Sequence, residues 1–390
     1  MKAKILLVCL LALGLSVPAM AADNLKEMFT QSSVNGVIKL LSFTGEFDNS
    51  TPTKQDTALG GTLYFKTDSF KGVRLGVAFG TTNGIGDNSS KNFYYGITAP
   101  VHKSVTRLQE YYIQGDWFDT QIKVGAQELN TPFLNTHPIR MLNRAYRGLS
   151  VVNKSIKNLT LSGFYLTDNL GWVDQDFISF TNDVYIAGAV YKLPIAAVES
   201  KVQAWYFTMA DSFNQTYFKA DFSKKLNDFV LHAAPTVFTQ KSQGEELDGP
   251  LDTYQYGLSA GVGAFGFDLT GFFAKTGDGS IRDDWGYGKI IIQQVRNSGD
   301  ALAGDRSDEK AYAARLSYDF SKVGVKGLNA YVFYANYDAP ADTIDETDFS
   351  IQYNFSGALE GVGLRARYAI VNAENATDLT DTRLYVTYRF

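Results

Sequence analysis

The chain ends with residues 383–390, RLYVTYRF. Apolar side chains occupy every second position of this stretch: Leu384, Val386, Tyr388 and Phe390. A period of two with one apolar and one polar face predicts a half-buried strand. Because the strand runs to a terminal aromatic, which would fray and be exposed in a soluble protein, we predict that it closes a transmembrane β-barrel with its apolar face toward lipid. The alternative is an edge strand of a soluble β-sandwich.

The beginning of the chain has the features of a secretory signal peptide. Two lysines precede an apolar run at residues 5–15, and small residues lead up to a cleavage site after Ala21. The run is too short to cross a bilayer as a helix. Cleavage there would remove Cys9, the only cysteine. We therefore predict a signal peptide at 1–21 and a single domain at 22–390.

Composition fits a membrane barrel. Aromatic residues make up 14% of the 390 residues, the formal net charge is −5, and the mean hydropathy is only −0.14. Alternating lipid-facing and lumen-facing residues average to such a near-neutral hydropathy. The acidic balance argues against nucleic-acid binding by bulk charge, and no apolar run is long enough to predict a membrane-spanning helix.

The alternation recurs along the chain and predicts an all-β fold, a transmembrane antiparallel β-barrel of about 18 strands. The predicted links alternate between short periplasmic turns and long external loops, as in outer-membrane barrels. A barrel of this width leaves an aqueous lumen, and no separate plug domain precedes the first strand, which favours a channel. The long links are predicted at 81–107, 128–147, 168–182, 239–252 and 275–309.

Several stretches resemble the OprD-type outer-membrane porins, a family of substrate-selective channels with 18-stranded barrels. The resemblance rests on residues 25–29, 35–40, 125–133, 135–141 and 146–148. It implies that the loop 128–147 folds into the pore. After Met141-Leu142, where relatives often have a proline, this chain has Asn143-Arg144. The terminal Phe390 resembles the signal by which the barrel-assembly machinery recognises outer-membrane proteins.

Assigning the apolar face of each strand to lipid identifies the residues that point into the lumen. A lysine or arginine on the lipid face at mid-membrane depth costs roughly 2–4 kcal/mol, so the basic residues are predicted to face inward. About ten basic and about five acidic residues fall on that face by this pleat argument. One interpretation is that the basic residues form a series of weak sites along which anions pass. The other is that they are structural and are paired with loop carboxylates inside the barrel. The basic pore-lining residues with the clearest alternation are Arg74, Lys123, Arg315, Arg365, Arg367 and Arg383.

The loop 128–147 contains four residues that predict a basic constriction, His137, Arg140, Arg144 and Arg147. If the loop lay outside the barrel, these arginines would instead bridge lipopolysaccharide phosphates or face water. The loop 275–309 is rich in acidic residues, which would oppose anions at the mouth. Its apolar run at 290–292 predicts packing onto the barrel wall or onto the loop 128–147.

The chain has none of the common motifs of an enzyme active site, a metal site or a cofactor site. We predict a non-enzymatic porin in the outer membrane of a Gram-negative-type bacterium, in contact with lipid and lipopolysaccharide. It would allow passive, partly selective diffusion of small hydrophilic solutes, with a preference for small organic anions such as carboxylates. The alternative is a structural or adhesive surface barrel that acts through its loops. The sequence leaves open whether the protein is a monomer or a homotrimer.

Overall fold

A computed structural model describes residues 22–86, 94, 96–282, 297–298 and 301–390. The predicted signal peptide and the apolar run 290–292 lie outside the described residues. A short helix, α1 (Leu25–Thr30), precedes the barrel, and Asn24 caps it by accepting a hydrogen bond from the Glu27 amide at 3.0 Å. The barrel strands are β1 Ser33–Phe47, β2 Lys54–Lys66, β3 Val73–Gly84, β4 Val105–Trp117, β5 Thr120–Gln127, β6 Ala145–Asn153, β7 Leu159–Leu170, β8 Ile178–Lys192, β9 Glu199–Met209, β10 Phe213–Leu226, β11 Phe229–Ser242, β12 Asp252–Ala264, β13 Phe267–Thr276, β14 Lys310–Asp319, β15 Leu328–Ala339, β16 Asp342–Asn354, β17 Val362–Ala373 and β18 Leu379–Arg389.

These strands form one 18-stranded antiparallel sheet in the described chain, and β18 pairs with β1 to close it. The predicted barrel is therefore confirmed. The last strand has the predicted faces, because Leu384 is 50% exposed on the outside whereas its neighbour Arg383 is 1% exposed on the inside. No helix in the described ranges is long and apolar enough to cross a membrane.

The terminal residue lies at the seam of the barrel. The backbone N–H and C=O groups of Phe390 exchange hydrogen bonds with those of Gly36 on β1, at 3.2 and 3.0 Å. A Cβ atom on Gly36 would come within 2.9 Å of the Phe390 ring and of the Thr62 carbonyl oxygen. Gly36 therefore lets the terminal aromatic ring pack flat against the first strand.

The strands extend further at their external ends than the sequence pattern predicts. Two external links are consequently as short as the periplasmic turns, namely 210–212 and 340–341. The external loops with room to fold are 85–104, 128–144, 171–177, 243–251 and 277–309. The remaining described elements are three 3₁₀ turns (Pro100–His102, Phe320–Val323 and Gly357–Leu359) and a small antiparallel pair, Asn297–Ser298 with Ala301–Leu302.

The core of the molecule is inside the barrel. One buried cluster is built on the inner faces of β7 to β11 and includes Phe207 and Phe238. A second, with Leu41 and Phe43, is built on β1, β2 and β4, and a third lies on β13 to β18. The external loops supply residues to the first two clusters, so these loops fold inward and lie in the lumen.

Candidate functional site

The loop 128–144, between β5 and β6, lies inside the barrel. Near its start, Phe133 packs against Phe207 and Phe238 of the opposite wall, with ring centroids 5.8 and 6.4 Å apart. Near its end, Met141 and Leu142 are fully buried in the cluster on β1, β2 and β4. The loop is therefore anchored at two separate places on the inner wall and narrows the channel between them.

The base of the loop is held by Glu128. Its carboxylate accepts hydrogen bonds from the Tyr64 hydroxyl at 2.9 Å and from the Asn143 side-chain amide at 2.8 Å. Burial raises the pKa of Glu128 above its usual range. The Asn143 carbonyl oxygen accepts hydrogen bonds from Gln109 at 2.8 Å and Arg107 at 2.7 Å. A proline at position 143 has no side-chain amide, so the Asn143 to Glu128 contact is specific to chains with asparagine here.

A second external loop, 171–177, brings Trp172 to the loop 128–144. The indole N–H donates a hydrogen bond to the His137 carbonyl oxygen at 3.2 Å. The guanidinium carbons of Arg144 and Arg140 lie 4.6 and 5.3 Å from the indole ring centroid. A guanidinium is attracted to the face of an aromatic ring, and this contact does not neutralise its charge. Three residues of the predicted site, His137, Arg140 and Arg144, thus contact Trp172. The sequence pattern did not identify this tryptophan.

Arg140 is held by aromatic rings. Besides Trp172, its guanidinium lies 5.6 Å from the ring centroid of Phe43 and 5.8 Å from that of Tyr94. Within the described residues, no carboxylate lies within 4.0 Å of it, and its buried Nε and Nη1 atoms have no hydrogen-bond partner. Burial, with the nearby charge of Arg383, lowers the pKa of Arg140 to about 10. The side chain therefore stays cationic at neutral pH.

The placement of Arg147 corrects the sequence prediction. It lies on β6, where Tyr146 points into the interior cluster, so Arg147 points to the outer face. There its guanidinium forms an ion pair with Asp168 at 2.7 Å. It is not part of the constriction. The prediction failed because β6 begins at Ala145, before this residue, whereas the sequence pattern placed the residue in the loop.

The basic residues of the wall do lie on the inner face, but several are paired with carboxylates. Arg383 is 2.7 Å from Asp381, and Arg367 is 3.4 Å from Asp348. The inner face is thus less basic than the sequence pattern predicted, since Asp56, Glu346, Asp348 and Asp381 also lie there, buried. Their alternation with lipid-facing residues such as Phe349 could have identified them from the sequence.

The other predicted lining residues have varied neighbours. Arg74 is 3.5 Å from Asp116, Lys123 lies over the Tyr112 ring at 4.4 Å, and Arg315 lies over the Phe272 ring at 5.9 Å. Arg365 donates hydrogen bonds to the hydroxyls of Ser350 at 3.2 Å and Tyr331 at 3.3 Å. Hydroxyl partners leave the positive charge of Arg365 uncompensated at short range.

A cavity of about 470 Å³ lies in the lumen beside the end of the constriction loop. Its basic lining residues are Lys39, Arg140, Arg365 and Arg389, and Tyr64 and Tyr385 supply aromatic rings. Lys39 also donates a hydrogen bond to the Arg140 carbonyl oxygen at 2.9 Å. In the described part of the chain, no group of three or more histidine, cysteine or acidic residues is arranged to hold a metal ion.

The described start of the external loop 277–309 also joins the constriction. Ile281 belongs to the same buried cluster as Phe133. Arg282 lies 3.7 Å from Asp248 of the neighbouring loop. The first residues of this loop thus contact the buried cluster and the neighbouring loop. The run 290–292, on which the packing prediction rests, lies outside the described residues.

These features match a known family of channels. The family model for outer membrane porins of the OprD family matches residues 113–390. The chain is 25% identical over 292 residues to the porin-like protein GalP of Pseudomonas putida, covering 69% of this chain and 68% of GalP. The protein belongs to the OprD family of outer membrane porins. It is a porin for small solutes in the outer membrane of a Gram-negative bacterium.

Solved structures support the same fold. The structure of OccK9 (OpdG) from Pseudomonas aeruginosa superposes with a TM-score of 0.83 at 21% identity. The structure of OpdK with vanillate, from the same organism, gives a TM-score of 0.81 at 18% identity. In each case the match covers 93% of this chain and 99% of the other. Both the family and the fold are those of a channel rather than an enzyme.

Proposed function

We propose that this porin passes small organic anions in preference to cations, and that carboxylates are among its natural solutes. The observation that carries the proposal is Arg140. It is a cationic side chain that is surrounded by aromatic rings and lies on a loop that crosses the lumen. Its Nε and Nη1 atoms have no hydrogen-bond partner among the described residues. A fixed positive charge at a constriction raises the local concentration of anions.

Basic residues on the barrel wall would continue this path. The strand register puts Arg389 closest to the periplasm, Lys39 two residues higher on the neighbouring strand, and Arg365 a further two residues higher. Two residues of a strand correspond to about 7 Å. Steps of this size would let a carboxylate pass from one basic group to the next without binding too tightly to any of them.

Two further observations support carboxylates as the solutes. The structure of OpdK contains vanillate, an aromatic carboxylate, and the cavity in this chain combines basic side chains with the rings of Tyr64 and Tyr385. The acidic external loop 277–309 repels anions less strongly than its number of acidic residues indicates. Two of its acids, Asp308 and Glu309, have basic partners in Lys275 at 3.5 Å and Arg306 at 2.5 Å.

The proposal is tested by reconstituting the folded barrel in a planar bilayer with a salt gradient and measuring the zero-current potential. The expected sign is that of an anion-selective pore. Liposome swelling then compares vanillate with vanillyl alcohol, an uncharged molecule with the same ring. We expect faster swelling with vanillate. A cation-selective potential, or equal swelling rates, would overturn the proposal, and an absence of channel events would instead favour a surface protein that acts through its loops.

A further inference from the structure

Trp172 is placed in the lumen by an anchor that also holds the constriction loop. The anchor is Arg107, which is 4% exposed and lies on the inner face of β4. Its Nη1 donates to the carbonyl oxygens of Gly171 at 2.5 Å and Asp174 at 2.6 Å. Its Nη2 donates to the Asn143 carbonyl oxygen at 2.7 Å. One buried guanidinium therefore fixes the loop that carries Trp172 relative to the loop that carries the arginines.

Within this arrangement, the indole of Trp172 contacts the constriction loop at three residues. Arg144 and Arg140 both lie over its ring system, at 4.6 and 5.3 Å, and the ring of His137 lies 4.5 Å away, measured between centroids. His137 has a positive φ of 46°, which is uncommon for a residue with a side chain. The indole N–H bond to its carbonyl oxygen supports the backbone at this point.

We propose that Trp172 is a positioning residue for ion selectivity: it holds the guanidiniums of Arg140 and Arg144 in fixed positions at the constriction. The inference rests on the proposed function, because it explains how the charges behind an anion preference are presented. A carboxylate in the same place would also position the arginines, but it would cancel their field. An aromatic ring positions a cation and leaves its charge available to the solute.

The test uses two substitutions of Trp172 and one control. Trp172→Leu removes the aromatic face, and Trp172→Phe keeps a ring but loses the N–H donor. The control is Trp117→Leu, because Trp117 donates to the Lys71 carbonyl oxygen at a periplasmic turn, away from the constriction. Folding of each variant is checked by heat-modifiable migration on a gel. The measurements are the anion-to-cation permeability ratio and the open-channel current noise of single channels.

The loss of one cation–π contact at an exposed site corresponds to a factor of about two to five, and Trp172 is only 9% exposed. We therefore expect Trp172→Leu to lower the permeability ratio by at least this factor and to raise the current noise. Trp172→Phe should keep most of the selectivity and the low noise, and Trp117→Leu should match the wild type. If Trp172→Phe loses as much as Trp172→Leu, the aromatic face is not the positioning element and the inference is wrong.

The inference and the proposed function fail in different ways. An anion-selective wild type whose ratio and noise are unchanged by Trp172→Leu would overturn the positioning role and leave the proposed function intact. A wild type without anion selectivity would overturn the proposed function. Increased noise in Trp172→Leu, without a similar increase in Trp172→Phe, would in that case still support the positioning of the two guanidiniums.

Discussion

Arg140 of the constriction loop and Arg383 of the barrel wall are held by different chemistry. Arg140, on the loop, is surrounded by the rings of Phe43, Tyr94 and Trp172. Arg383, on the wall, shares two of these rings but is also in ion-pair contact with Asp381. The charge of Arg383 is compensated by a carboxylate in direct contact, whereas none of the described residues places a carboxylate within 4.0 Å of Arg140. This difference in partners predicts different roles. The ion pairs of the wall stabilise the barrel, and the arginines of the constriction loop act on solutes.

The largest expected effect is on stability, from breaking a wall pair. Asp381→Asn keeps the size of the side chain but removes the carboxylate that lies 2.7 Å from the buried guanidinium of Arg383. Breaking a buried ion pair in this way costs roughly 3–5 kcal/mol. We expect a matching drop in the free energy of unfolding, measured by urea titration of the folded barrel in lipid vesicles. The double variant Asp381→Asn with Arg383→Met should recover part of the loss, and wild-type stability in the single variant would remove the distinction between wall and loop.

The second effect concerns the base of the loop. Glu128→Ala removes the acceptor for Tyr64 and Asn143, and each hydrogen bond to a charged group contributes about 1.5–3 kcal/mol. Because these bonds fix the loop rather than the barrel, we expect higher and noisier single-channel conductance with little change in barrel stability. The control is Asp319→Ala, since Asp319 caps the 3₁₀ turn Phe320–Val323 at the periplasmic end of the barrel, away from the loop 128–144. Quiet, wild-type conductance in Glu128→Ala would mean that the loop is held by its apolar contacts alone.

The third variant, Phe390→Asp, should change neither the barrel stability nor the single-channel conductance, but it should reduce assembly into the outer membrane. The role of Phe390 as an assembly signal remains a proposal, and its ring packs on Gly36 at the barrel seam. We expect Phe390→Asp to lower the amount of protein in the outer membrane severalfold more than Arg389→Ala does, as measured by surface labelling. The Phe390→Asp channels that do assemble should keep wild-type ion selectivity. Equal surface levels for the two variants would contradict this expectation.

The smallest effect is expected from Arg147→Ala. Its side chain is 42% exposed, whereas its partner Asp168 is 5% exposed. Asp168 also accepts hydrogen bonds from the hydroxyls of Thr167 and Ser179, and an ion pair in contact with solvent contributes about 0–1 kcal/mol. We therefore expect a change in unfolding free energy of at most about 1 kcal/mol and no change in the zero-current potential. A clear loss of anion selectivity in this variant would mean that Arg147 acts on the pore despite its outward direction.

The barrel could be predicted from the sequence because its signal is periodic. Alternation along β18 and β17 correctly placed Arg383, Arg365 and Arg367 on the inner face. The short external link 340–341 was harder to predict, because strands continue past their apolar middle wherever hydrogen-bonded pairing with a neighbour continues.

The constriction could be predicted only in part. The inward folding of the loop 128–144 was implied by the family resemblance, since an irregular loop has no period that reveals its direction. For the same reason, nothing in the sequence pattern marked Trp172. Its anchor Arg107 was missed because the predicted link 81–107 includes the first residues of β4 (Val105–Trp117). Arg147 was misassigned because a difference of three residues in the start of β6 decides whether it belongs to the loop or to the wall.

The most direct test of the central claim compares two arginines that differ in how they are held. The zero-current potential is measured in a salt gradient at low ionic strength for the wild type, Arg140→Ala and the matched control Arg147→Ala. We predict that Arg140→Ala lowers the anion-to-cation permeability ratio about tenfold. One unit charge about 5–7 Å from a permeating ion in water changes the local concentration of an anion and of a cation about threefold each, in opposite directions. The difference should shrink at 1 M salt, where the Debye length is about 3 Å. Equal ratios for the wild type and Arg140→Ala at low salt, or an equal loss in Arg147→Ala, would contradict the account.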